Sequence, residues 1–302
     1  MPNWNELLDE IRISGSTHDI IRRKYLNKLN LLTDRNVIVY YSGWLQKPGL
    51  AGIGINDNDK IGFMSTVNKL NRSKGLDLIL HTPGGDTAAT ESIVDYLREM
   101  FGTDIRAIVP QIALSAGTMI SCSCKSILMG KHSSLGPIDP QIRGIPAHGI
   151  LEEFQMAHKE ISQDPSKIPV WQPIIAKYSP TLIGECQKAI DWSQEIVKEW
   201  LITGMLASEN DNEVIADNII RELGDHALTK SHARHISASK CSEMGLKVEM
   251  LENNSELQDA VLTVHHACIH TLSSTGAYKI IENHLGTAFI QIAQRVAIPT
   301  PR

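Results

Sequence analysis

Two turns hold the residue types from which an acyl-transfer site is built. The first is His81-Thr82-Pro83-Gly84-Gly85-Asp86, which ends one apolar run and opens a helical pattern. Glycines there let backbone N–H groups face a ligand, and the following helix N-terminus adds positive potential. Such a turn suits a phosphate or a developing oxyanion, and it is equally an ordinary βα connection. The second runs from Val109 to Met119 and carries Ser115-Ala116-Gly117-Thr118. Ser115 falls where a turn ends and a helix begins, a place where serine is usually an N-cap. The small neighbours Ala116 and Gly117 would let a substrate carbonyl approach. A serine hydroxyl becomes a useful nucleophile only with a base and an anion site beside it. The Gly84-Gly85 turn supplies that anion site if adjacent strands bring the two turns together.

The surrounding pattern predicts how the turns are carried. Short β-branched or apolar runs at Asn36–Tyr41, Asp77–His81, Ile105–Val109 and Ser126–Met129 read as strands. Helical spacing fills the intervals at Asp57–Asn71, Asp86–Phe101 and Ala113–Cys124. This βαβ alternation predicts an α/β fold with a mostly parallel sheet wrapped by helices. The N-terminal residues 1–35 read as amphipathic helical pieces broken at Ser14-Gly15-Ser16. Beyond Pro146 helices dominate, over His148–Gln163, Thr181–Leu206, Glu209–Leu223 and Glu256–Ser273, with one short β-like piece at Leu246–Leu251. The tail Ala297–Arg302 reads as a frayed end. The expected organisation is thus an N-terminal helical segment (1–35), a catalytic core (36–150) and a mostly helical C-terminal region (151–302) that completes the same unit.

Thr82-Pro83-Gly84-Gly85, then Ser115-Ala116-Gly117-Thr118, then Leu135-Gly136-Pro137-Ile138-Asp139-Pro140-Gln141, together resemble the serine dehydrogenase proteinase family. That family is related to the Clp protease proteolytic subunit and to signal peptide peptidase A, within the Clp/crotonase superfamily. The resemblance is strongest from Val37 to Gln141; His232–Val248 and the last helix also look like that family's C-terminal part. It implies a Clp/crotonase-like core and a serine peptidase acting on polypeptides, with Ser115 as nucleophile and the amides of Gly85 and Ala116 as oxyanion hole. The base departs from the pattern. Where the Clp subunit carries its histidine, this chain carries Asp139, which at an Asp-Pro turn is as readily a structural device. His132 lies nearby but before the expected place. Signal peptide peptidase A uses a lysine further downstream, which points to Lys159, Lys167 and above all Lys177, in Lys177-Tyr178-Ser179-Pro180. His232, in Ser231-His232-Ala233-Arg234, resembles a family position and reads as structural. Related proteins form rings or stacks, which implies a homo-oligomer.

Two other functions fit the same residues. A crotonase-type acyl-CoA enzyme would use only the two backbone amides, and a non-catalytic scaffold would use none of these groups. No Walker A pattern is present, and no pyridoxal-phosphate or nucleotide motif accompanies the family's name, so no cofactor is expected. His266 and His270 share a helix face without an evident third ligand, and no metal is expected. The five cysteines, Cys122, Cys124, Cys186, Cys241 and Cys268, are odd in number and scattered. They read as small buried residues in a reducing cytoplasm rather than as a disulfide framework. With 302 residues, 42% hydrophobic content and a formal net charge of -5, the chain can bury a large core and has no basic footprint for nucleic acid. Met1–Glu10 lacks the apolar stretch of a secretory signal, and the most apolar segment, Ile105–Gly130, is too interrupted for a membrane span.

Overall fold

A computed structural model describes residues 4–13, 17–224 and 231–293. The expected break at Ser14–Ser16 and the tail Ala297–Arg302 lie outside the described residues. Along the chain run α1 (Trp4–Ile13), α2 (His18–Thr33), β1 (Asn36–Ser42), α3 (Asn58–Val67), β2 (Leu76–His81), α4 (Thr87–Phe101) and β3 (Ile105–Val109). There follow β4 (Ile112–Ala113), α5 (Ala116–Cys122), β5 (Ser126–Met129), β6 (Ser134–Leu135), β7 (Gln141–Ile142) and β8 (Ile145–Pro146). Then come α6 (Ala147–Gln163), α7 (Ile168–Ile175), α8 (Leu182–Thr203), α9 (Asn212–Gly224), β9 (Ile236–Ser237) and β10 (Val248–Met250). A long helix, Ser255–Ser274, leads to the hairpin of β11 (Ala277–Asn283) and β12 (Ala288–Ile292).

The central sheet has seven strands in the order β10-β5-β3-β2-β1-β11-β12. β1, β2, β3, β5 and β10 are mutually parallel, while β11 and β12 add on antiparallel. β1 and β2 are buried along their whole length, as strands covered on both faces must be. Alternation decides which helices each residue meets. Ile38, Tyr40, Leu78 and Leu80 join a core with residues of α3, α4, α5, α8 and α9. Val37, Val39, Tyr41 and Ile79 face the other way, onto Leu26 and Leu29 of α2 and Val261, Val264 and Cys268 of the long helix.

The C-terminal region is mostly helical, and it also contributes three strands to the central sheet. The β11–β12 hairpin is hidden in the sequence because its strand carries charges that are buried. Lys279 donates to both carboxylate oxygens of Asp59, at 2.8 and 2.9 Å, and the Tyr40 hydroxyl donates to Asp59 at 2.8 Å. Glu282 is bound by the guanidinium of Arg22, and by that of Arg23 at 2.9 Å. Charges so paired can sit in a central strand, and they break the apolar alternation by which such a strand is read.

A second, three-stranded sheet has the order β4-β6-β9, with β4 parallel to β6 and β6 antiparallel to β9. Its directions have a direct consequence. The segment after β4, the segment after β6 and the segment before β9 must all emerge at one end. Those segments carry Ser115, Asp139 and His232.

Candidate active site

The two turns do meet. Thr82 N–H donates to the Ile112 carbonyl at 3.2 Å, and Leu114 N–H donates to the Thr82 carbonyl at 3.0 Å. Gly84 adopts a φ of 102°, in the left-handed region that favours glycine. A Cβ on it would lie 2.6 Å from the Ser115 Cβ and 2.9 Å from the Leu114 carbonyl oxygen. Only a residue without a side chain allows the serine turn to approach this closely.

Beside Gly85, Ile55 N–H donates to the Gly84 carbonyl and Asp86 N–H donates to the Ile55 carbonyl, both at 2.9 Å. The bridge therefore uses its neighbours and leaves the Gly85 N–H without an acceptor among the described residues. Ala116 opens α5, where helix geometry likewise leaves an amide without an internal partner. Asp86 caps α4 by accepting from Ala89 N–H at 2.8 Å, which holds the Gly-Gly turn at a helix start.

Ser115 occupies the N-cap position of α5, yet its side chain makes no capping bond. Its backbone stands at φ 50° and ψ -114°, a strained conformation for a residue with a Cβ. Strain of this kind on a strand-to-helix turn exposes a nucleophile at the head of a sheet. Thr118 fixes the next loop to this turn. Its hydroxyl donates to the Ala113 carbonyl and accepts from Gly136 N–H, each at 3.0 Å. Ile138 N–H donates to the Leu223 carbonyl at 2.9 Å, which sets the stretch that leads to Asp139.

Asp139 is fully buried, and its Oδ1 lies 2.9 Å from His232 Nδ1. A carboxylate accepts, so Nδ1 carries the hydrogen in this contact, and in the neutral ring Nε2 keeps its lone pair. The His232 side chain keeps 22% of its surface exposed. It lines a cleft of about 430 Å³ together with Ser115, Gly85, Met119, Pro140 and Trp192. Ser115 Oγ makes no hydrogen bond to His232 in this structure; such bonds commonly tighten only when substrate is bound.

The lysines expected to act as base are placed elsewhere. Lys177 is exposed and lines a different cavity with Ile142, Arg143 and Leu182, and a base must first be within reach of its proton. Lys167 pairs with Glu160 at 3.2 Å on the surface, and Lys159, on α6, does not line the cleft. His132 is exposed, packs back on Gly130 and is likewise absent from the cleft. His232, which sequence suggests is structural, lines the same cleft as Ser115. Its signal in the sequence is the family-like segment from Ser231-His232-Ala233-Arg234 to Val248.

A model of the ClpP-like SDH-type serine proteinases matches residues 18–260 of this chain. The chain belongs to that family. The match covers the central sheet's parallel strands, both turns, Asp139 and His232. Two uncharacterized proteins of Methanocaldococcus jannaschii, MJ1495 and MJ0137, are 29% and 28% identical over 196 and 197 residues. Those alignments cover 65% of this chain and only 59% and 60% of the two archaeal proteins. Among solved structures, a mutant of the 1510-N membrane-bound stomatin-specific protease is similar at 16% identity and a TM-score of 0.40. That similarity covers 68% of this chain and 79% of the other.

Among the described residues of this family member, no helix is long and apolar enough to cross a membrane. No group of three or more histidines, cysteines or acids among them is placed to hold a metal ion. All five cysteines are buried and free, and burial pushes the thiols of Cys122, Cys124, Cys241 and Cys268 well up.

Proposed function

We propose that the chain hydrolyses peptide bonds through a Ser115 acyl-enzyme, with His232 as general base and Asp139 orienting it. The observation that carries this reading is the pairing of Asp139 with His232 on the wall of the cleft that holds the strained Ser115. In the first step His232 Nε2 takes the Ser115 proton as Oγ attacks the scissile carbonyl carbon. The carbonyl oxygen becomes an oxyanion, held by the N–H groups of Gly85 and Ala116. Asp139 stabilises the imidazolium that forms. Collapse of the tetrahedral adduct breaks the C–N bond as His232 returns the proton to the leaving amine. Water then enters, gives its proton to His232 and attacks the acyl carbon; the proton returns to Ser115 Oγ as the acid product leaves.

This constellation has the roles of a Ser-His-Asp triad in the chain order serine, aspartate, histidine. Asp139, at the place where the related Clp subunit has its histidine, is in this reading the residue that orients the imidazole. Ser115→Ala is expected to abolish peptide hydrolysis and labelling by a serine-directed fluorophosphonate. Undiminished hydrolysis by that variant overturns the reading. A homo-oligomer and a cytoplasmic setting belong to the same proposal, the first tested by sedimentation and the second by fractionation.

A further inference from the structure

The hairpin of β7 and β8 starts directly after Asp139-Pro140, and its residues divide between two cavities. Pro140 and Gln141 line the cleft of Ser115, whereas Ile142 and Arg143 line a separate cavity of about 420 Å³. Its wall is apolar, built from Ile142, Ile150, Ile174 and Leu182, with Arg143 and Lys177 among its lining residues. Both cations are exposed, and neither has a carboxylate partner among the described residues. Tyr178, which also lines the cavity, donates its hydroxyl to Glu153 at 2.5 Å. Lys167, the next cation along the chain, is already paired with Glu160. An apolar hollow with two unpaired positive charges is complementary to an apolar side chain flanked by a carboxylate.

Helix α8 sets the distance between the two cavities. Leu182, at its start, lines the second cavity, and Ala189 and Trp192, further along, line the cleft. Leu182 to Ala189 is a rise of roughly 10 Å along a helix. An extended peptide covers that length in about three residues. A polypeptide that leaves the cleft along α8 would reach the second cavity.

On the peptidase reading given above, we propose that this cavity is a substrate-docking subsite that takes an apolar side chain next to an Asp or Glu, about three residues from the scissile bond. Lys177 and Arg143 then act in recognition rather than in chemistry. The subsite contributes to binding of long substrates and nothing to the reaction of a small probe at Ser115.

The test uses the full chain and fluorescein-labelled ten-residue peptides carrying Leu-Glu or Leu-Lys at successive positions. Binding is read by anisotropy in the Ser115→Ala background, so the outcome does not depend on hydrolysis. Leu-Glu peptides are expected to bind more tightly than Leu-Lys peptides. The double variant Lys177→Glu/Arg143→Glu is expected to weaken Leu-Glu binding by about 5- to 10-fold and to favour Leu-Lys instead. With Ser115 intact, fluorophosphonate labelling of that double variant is expected to match the wild type. Equal affinity for both peptides before and after charge reversal overturns the subsite, as does loss of labelling, which would return Lys177 to the chemistry. Failure of Ser115→Ala to stop hydrolysis overturns the peptidase reading by a separate measurement.

Discussion

Two histidines of this molecule live in opposite conditions. His232 has a carboxylate at its Nδ1, an exposed edge and a serine across a cleft. His81, one residue before the Thr82-Pro83-Gly84-Gly85 turn, is buried with neither ring nitrogen hydrogen-bonded. It packs against Trp44 at 4.4 Å and against Tyr41 and His265 at 5.3 Å. Burial pushes its pKa down to about 3. His265 is lowered as well, by burial first and then by the neighbouring histidines. The comparison teaches that an imidazole near the Gly84-Gly85 turn is not thereby a base. An imidazole that shuttles a proton needs a fixed carboxylate behind it and access in front, whereas a buried aromatic pocket favours the neutral ring.

The sharpest way to break this contrast is to exchange the losses. His232→Ala is expected to reduce peptide hydrolysis by at least about 10³-fold with an unchanged circular dichroism spectrum. A residual rate near wild type would remove His232 from the chemistry. Asp139→Asn is expected to cost about 10²- to 10⁴-fold in kcat, because an amide no longer fixes the Nδ1–H tautomer. Retention of full kcat in that variant would make the Asp139–His232 contact structural only.

Acid separates the pair through stability instead of rate. The folded pKa of His81 lies below the unfolded value of about 6.5, so the unfolded chain binds the proton first. The stability held by the neutral ring is complete above about pH 6.5 and is lost progressively as pH falls toward 3, at up to about 1.4 kcal/mol per pH unit for each such histidine. Urea unfolding across that window is expected to show a shallower slope in His81→Leu than in the wild type, and identical slopes would contradict the buried neutral state. The smallest effect is expected from Tyr41→Phe, which removes the hydroxyl 3.0 Å from His265 Nδ1. A loss of about 1 kcal/mol in stability with unchanged peptide kcat is expected. A collapse of kcat would join the buried pocket to the reaction.

Much of the core was legible because its signals are local. Asn36–Tyr41 and Asp77–His81 are continuous apolar runs, and those are what doubly covered parallel strands must be. The two-residue strands β4, β6 and β9 were not, since pairs of residues carry no periodicity. Helix α7 was missed for a similar reason: it is short and has Pro173 inside it. The β11–β12 hairpin was obscured by Lys279 and Glu282, whose partners Asp59 and Arg22 lie far away in the chain.

The sequence by itself determined the candidate nucleophile and candidate anion site, because Ser115, Ala116 and the Gly84-Gly85 turn each sit in a contiguous strand-to-helix segment whose residue types and spacing single them out. Tertiary structure alone decided which imidazole shares their cleft. Lys177 has the spacing of a family base and lies in another cavity, while His232 is distant in sequence and is brought to Asp139 by the antiparallel pairing of β6 with β9. Strand pairing between remote segments leaves no periodic trace in either one, so the candidate serine could be read from its neighbours and the histidine that shares its cleft could not.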